Sequence, residues 1–195
     1  MNVSEKLIAL SRWIGLGLAL ALLLSACGAE APAATTGPIY TGPADGFVTF
    51  AGEGFQIDLP ESFSADGTTQ IAIGESVYSS LDGFTNVSIN RLQDTSIEAE
   101  TLASAADSVI NEYEATEGYT FLRQETFTGV EFETLKLSVS ADENVSGATE
   151  DIIVVQYLMK DGDTLWLITF GTTASSLASW EADFDASAKT FRIAD

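Results

Sequence analysis

DIIVVQYLMKDGDTLWLITFG, residues 151–171, decides the fold. Two β-rich runs flank Asp161-Gly162, and an Asp-Gly pair supplies the positive φ angles that a tight hairpin turn needs. Ile152 to Val155 and Leu165 to Ile168 are unbroken apolar runs, so both strands are expected to be central and covered on both faces. A sheet buried on both sides needs helices, and the flanking sequence provides two.

The first is read from Thr95, where Thr95 and Glu98 have the spacing of a capping box. Leu102, Ala106, Val109, Ile110 and Tyr113 then fall on one stripe of a 3.6-residue helix, opposite Glu100, Ser104, Asp107, Glu112 and Glu114, and Gly118 stops it. The second is expected after Ser175 or Ser176, with Leu177, Trp180, Phe184 and Ala188 as its apolar stripe. A last short segment, Thr190 to Ile193, can pair or pack at the sheet edge.

Upstream, Phe47 to Phe50, a Gly52-Glu53-Gly54 turn, and Phe55, Ile57 and Leu59 alternating with Gln56 and Asp58 read as strands closed by Pro60. Gln70 to Tyr78 and Asn86 to Leu92 are further strand candidates, joined through Asp82-Gly83. Tyr119 to Phe127 and Val130 to Ser140 form a hairpin about Thr128-Gly129. The order is not a regular βαβ alternation. The expected class is therefore α+β, a mostly antiparallel β-sheet flanked by helices in an α/β/α sandwich.

The N-terminus carries a different signal. Lys6 and Arg12 precede an apolar run from Trp13 to Leu24, too short for a membrane span of roughly 20 residues. Leu24-Ser25-Ala26-Cys27 follows, and Cys27 is the only cysteine of the chain. This run resembles the lipobox of bacterial lipoproteins. The resemblance implies that residues 1–26 are a signal peptide and that Cys27 becomes the acylated first residue, bearing palmitate-type chains. Residues 27–46, rich in Ala, Thr, Gly and Pro, read as a flexible tether. Residues 47–195 then form one domain, held on the extracytoplasmic face of the cell membrane by its lipid.

The full chain holds 8 basic and 29 acidic residues; removal of Lys6, Arg12 and Glu5 leaves 6 and 28, a net charge of −22. Nucleic-acid binding is excluded on that balance, since it rests on Lys and Arg neutralising phosphates. The chain has no histidine. With the single thiol assigned to the anchor, Ser-His-Asp and Cys-His chemistry and His- or Cys-based metal sites are excluded too, and no cofactor is implied.

The acidic loop Asp142-Glu143-Asn144 with Glu150 and Asp151 could gather oxygen ligands for Ca²⁺. It lacks the Asp-x-Asp-x-Asp-Gly spacing of a dedicated ion loop, and a solvated acidic loop is the plainer reading. Trp166 and Trp180 could wall a pocket. Their positions, mid-strand and on the helix stripe, assign both to the core.

Residues 47–193 resemble the PsbP-like family, which includes extrinsic subunits of the oxygen-evolving complex and many bacterial lipoproteins. The resemblance rests on Gly54-Phe55-Gln56-Ile57-Asp58-Leu59-Pro60, on the single long helix from Thr95, and on the aromatic hairpin Tyr157 to Phe170. The closing helix with Trp180 and Phe184, leading to Lys189-Thr190-Phe191-Arg192-Ile193, completes it. It implies helices on both sides of an antiparallel sheet and no shared catalytic site. In photosynthetic members it implies docking to a membrane complex and retention of Ca²⁺ and Cl⁻ there. Those members' basic contact surfaces and histidines have no counterpart here, and no functional residue carries over.

These readings converge on a non-catalytic, membrane-tethered accessory module that docks to a protein partner in the cell envelope. A small-molecule or lipid carrier is the alternative, and it requires an enclosed apolar cavity. A carboxylate-based hydrolase would require two acids in a cleft, one with a raised pKa through burial.

Overall fold

The computed structural model describes residues 40–64, 75–80, 84–92 and 101–194. The deciding hairpin is built as its sequence dictates. Strands β8 (Ile152–Asp161) and β9 (Thr164–Thr173) pair antiparallel from Asp161↔Thr164 to Ile152↔Thr173, about Gly162 at φ +56°. Both are buried along almost their whole length.

Around them runs a seven-stranded antiparallel sheet in the order β3-β4-β5-β9-β8-β7-β6. Its other members are β3 (Phe63–Ser64), β4 (Glu75–Ser80), β5 (Asn86–Leu92), β6 (Tyr119–Phe127) and β7 (Glu133–Ala141). The expected hairpin about Gly129 is present, with its second strand starting at Glu133 and a register shift between Phe121 and Arg123 on the first. Of the strand candidate read over Gln70 to Tyr78, β4 contains Glu75 onward. Residues 70–74, the Asp82-Gly83 turn and the Thr95/Glu98 capping box lie outside the described residues.

Helix α1 (Leu102–Ala115) is capped by Thr101, whose hydroxyl accepts the Ser104 amide N–H at 3.2 Å. Its stripe of Leu102, Ala105 and Ala106 packs on Leu137, Leu158, Leu165 and Leu167, one face of the central strands. Tyr113 continues the contact to Val139, Ala141, Ile152 and Val154. The short helix α2 (Glu143–Ser146) follows β7.

The opposite face carries the alternate residues of the same strands: Ile153, Val155, Tyr157, Met159, Trp166, Ile168 and Phe170. Helix α3 (Leu177–Lys189) covers part of it with Phe184 and Ala188. Ser176 stands at the N-cap position but makes no side-chain cap bond; its hydroxyl accepts from Thr173 Oγ1 at 3.0 Å instead.

The rest of that face is covered by a second sheet. Strands β1 (Phe47–Gly52), β2 (Phe55–Pro60) and β10 (Arg192–Ile193) pair in the order β1-β2-β10, all antiparallel. The closing segment thus pairs with the opening hairpin and not with the main sheet. Phe55, Ile57 and Leu59 point inward from β2 onto the main sheet, and Phe191 stacks on Phe55 with ring centres 5.9 Å apart. The architecture is α+β, with α1 on one side of the seven-stranded sheet and α3 plus the small sheet on the other.

Candidate functional site

Two polar constellations stand on the α3 side. The first is centred on Lys136, in the middle of β7. Its side chain is only 3% exposed, and its ammonium donates to Asp185 Oδ1 at 2.7 Å and to Glu181 Oε1 at 3.1 Å, both on α3. Glu125, on the neighbouring strand, lies 3.7 Å away. Arg123 binds Glu181 from the more exposed side, and Tyr157 donates its hydroxyl to Asp185 Oδ1 at 2.5 Å. Register brings these groups together: Lys136 pairs with Tyr157 across β7/β8 and with Glu125 across β6/β7.

The electrostatics follow from that packing. Burial would lift the Glu181 carboxyl, but its bonds to Lys136 and Arg123 outweigh burial and hold it below the usual range. Burial, and then the hydrogen bond to Asp185, push the Tyr157 phenol well above its ordinary value. Tyr113, under α1, is raised in the same direction, first by burial and then by the neighbouring Tyr119 and Glu112. Unfolding would therefore release these protons at alkaline pH. Stability conferred by the two phenols is complete below the unfolded tyrosine pKa of about 10 and is lost as pH rises above it. The urea midpoint of the domain is expected to fall between pH 9 and 11 by more than that of Tyr157→Phe; equal slopes would show that Tyr157 is not held protonated.

The second constellation lies on the outer face of the small sheet. Asp58, in β2, is fully buried. Its carboxylate accepts from Tyr40 Oη at 2.9 and 3.1 Å and from Thr49 Oγ1 at 2.7 Å, while its own amide donates to Thr190 Oγ1 at 2.8 Å. Arg192 lies 3.5 Å from Asp58, donates to Gln56 Oε1 at 3.0 Å, and stacks its guanidinium 3.8 Å from the centre of the Tyr40 ring. Residues before β1 and the last strand are thereby joined on one carboxylate.

The acidic loop is arranged otherwise than as an ion cradle. Asp142 caps α2, accepting the Asn144 and Val145 amide protons at 2.9 and 3.0 Å. Glu143 begins that helix and is exposed. Glu150 reaches Ser175, accepting from its hydroxyl at 2.9 Å and its amide at 3.0 Å, and these bonds hold its carboxyl below the usual range. Asp151 lies 3.4 Å from the Ser140 hydroxyl. Among the described residues no group of three or more carboxylates could hold a metal ion. Cys27 lies outside the described residues.

Trp166 is core, and Trp180, partly buried, packs against that core. Trp166 is 2% exposed and meets Phe55 and Phe191 with ring centres 5.8 and 5.2 Å apart. Trp180 packs edge-on to Phe63 at 5.7 Å and beside Phe184 at 6.1 Å. Aromatic rings pack against one another between sheet, helix and small sheet.

Of the basic residues, Lys136 is buried, whereas Arg91, Arg123 and Lys189 are exposed. Arg123, Lys136 and Arg192 serve the two constellations, Arg91 lies 5.7 Å over Trp166, and Lys189 lies 5.6 Å over Phe127. No helix among the described residues is long and apolar enough to cross a membrane.

No protein-family model and no curated protein matches the sequence. Solved structures do match. The Saccharomyces cerevisiae Ran-binding protein Mog1p superposes with a TM-score of 0.49 at 12% identity, over 76% of this chain and 95% of that one. LpqN, involved in cell envelope biogenesis of Mycobacterium tuberculosis, gives 0.43 at 10% identity, over 76% and 91%. Cyanobacterial PsbP (CyanoP) from Synechocystis sp. PCC 6803 gives 0.56 at 11% identity, over 82% and 99%. With α1 on one face of an antiparallel sheet, α3 on the other, and the cyanobacterial superposition spanning nearly all of its counterpart, the chain has the PsbP-like fold.

Proposed function

We propose that this protein is a lipoprotein of the cell envelope, anchored through Cys27, whose PsbP-like domain works without catalysis as a docking module for a membrane or envelope protein complex. The observation that carries the reading is the Leu24-Ser25-Ala26-Cys27 run closing an apolar stretch of signal-peptide length. Two features support it. The chain has no histidine and its only cysteine is assigned to the anchor, which removes Ser-His-Asp and Cys-His chemistry. After residues 1–26 the chain carries 6 basic against 28 acidic residues, a net charge of −22 that suits a partner with a basic face.

Diacylation makes the anchoring stable where a single chain would be marginal. Cys27→Ser is expected to abolish lipid labelling and to move the protein from the membrane fraction to the soluble fraction, or to leave an unprocessed precursor. Unchanged labelling and fractionation would remove the anchor. Crosslinking of the lipidated protein in native membranes, against the soluble domain as control, is expected to retain one defined complex. Retention of a lipid or small molecule with no protein would favour the carrier.

A further inference from the structure

Strand β6 ends the seven-stranded sheet and, among the described residues, pairs with β7 alone. From its register and charges we infer that its open edge is an interface between two copies of this chain, joined antiparallel about a two-fold axis at Gln124.

Leu122 to Thr126 are five consecutive exposed residues of this strand. Gln124 and Thr126 lie opposite Leu137 and Leu135, on the side where α1 covers Tyr119 and Phe121. Arg123 and Glu125 lie opposite Ser138 and Lys136, on the α3 side. Solvent reaches all of them, so this half of β6 is open on both faces as well as along its edge. Leu122, at the register shift, is 50% exposed, more than any other large apolar side chain among the described residues. An edge of this kind takes up a further strand through its backbone N–H and C=O groups.

Charge selects the occupant. Residues directly opposite in an antiparallel pair share one face of the sheet. With the axis at Gln124, Arg123 of each copy faces Glu125 of the other, and Leu122 faces Thr126. Moving the axis by one residue sets Arg123 against Arg123 or Glu125 against Glu125, so a single register pairs opposite charges and both slips pair like ones. Charges on an edge strand ordinarily turn other strands away. Here they are complementary to the same strand in a second copy, and both side chains, 48% and 47% exposed, have room to reach it. The net charge of −22 on each copy opposes association, but at physiological salt the Debye length of about 8 Å confines that repulsion to neighbouring groups. Two copies held on one membrane would meet at raised effective concentration, although the pair itself does not rest on the anchor.

The test is Gln124→Cys, whose two copies face each other about 5 Å apart between Cα atoms, within disulfide reach. The full chain in phosphatidylcholine vesicles is oxidised with copper phenanthroline, disulfide-linked dimer is measured by mass, and circular dichroism checks that each variant is folded. Thr120→Cys is the positional control, since the same register holds its two copies roughly 25 Å apart. Gln124→Cys is expected to give more than about tenfold the dimer of Thr120→Cys; equal yields would overturn the interface. Arg123→Glu and Glu125→Arg, each added to Gln124→Cys, set like charges opposite one another, and each alone is expected to lose most of the dimer. Mixed, the two variants restore both opposite-charge pairs, because the carboxylates of the first face the guanidinium groups of the second, and the heterodimer is expected to return. A mixture no better than either variant alone would overturn the pairing about Gln124. Dimer formed by the parent chain would show a free thiol at Cys27; that result overturns the proposed anchor and leaves the strand pair to be read from the excess of Gln124→Cys over Thr120→Cys.

Discussion

Phe184→Ala is expected to cost about 3–5 kcal/mol of folding stability, with the slope of the urea transition unchanged. The side chain is 1% exposed, and its ring lies 4.4 Å from that of Phe170, nearly parallel at 18°. Phe170 in turn sits on β9, the strand that joins β5 to β8. Truncation removes the transfer free energy of a buried phenyl group. It also opens a void against strands that cannot close on it, because β5, β8 and β9 are held in a continuous ladder on both sides. Few residues tie α3 to the sheet as deeply, since Leu177 and Trp180 are only partly buried. A loss below about 1 kcal/mol would mean that α3 does not pack as described.

That helix shows what the sequence disclosed. Its period of apolar residues, Leu177, Trp180, Phe184 and Ala188, is local information and is readable without knowing what lies beneath. So is the hairpin turn, although its two central residues are Gly162-Asp163 and Asp161 already pairs with Thr164. Continuous apolar runs in β8 and β9 announce burial on both faces. Partner choice across long stretches of chain is different. Alternation in Phe55, Ile57 and Leu59 says that one face is buried but not which layer buries it, so the separate sheet made by β1, β2 and the last two-residue strand was not legible. Two residues of strand are too few to carry a period.

The functional surfaces divide in the same way. The Leu24-Ser25-Ala26-Cys27 run is a linear signal, and the proposed anchor rests on it. The acidic loop invites an ion because proximity in sequence suggests proximity in space. In the fold, Asp142 turns to the amides of α2 and Glu150 to Ser175, each satisfied by a nearby donor. The Lys136 constellation gives no warning at all. Strand β7 alternates Leu135, Leu137 and Val139 with Thr134, Lys136 and Ser138, a pattern that by itself assigns Lys136 to solvent. Thr134, Lys136 and Ser138 are nevertheless buried. The reason is that both faces of the sheet are covered, and α3 brings Glu181 and Asp185 to meet the one charge on that face of β7.

Lys136→Ala should consequently lower stability by about 2–3 kcal/mol. Breaking a fully buried pair costs more, but Asp185 and Glu181 are each about one third exposed and regain some hydration once the ammonium is gone. Two contributions can be separated. The Lys136 ammonium lies 5.8 Å from the centre of the Tyr157 ring at the end of a buried stem, so Lys136→Met keeps most of the packing and removes the charge. It should recover about 1 kcal/mol relative to Lys136→Ala. Combining Lys136→Met with Asp185→Asn removes both partners, and the double variant should be more stable than the sum of the single losses by at least about 1 kcal/mol. Salt is the decisive control. Lys136 is sealed from solvent, so this coupling should survive in 1 M NaCl, where the Debye length is about 3 Å. A coupling that vanished there would place the pair at the surface and leave α3 held by its apolar stripe alone.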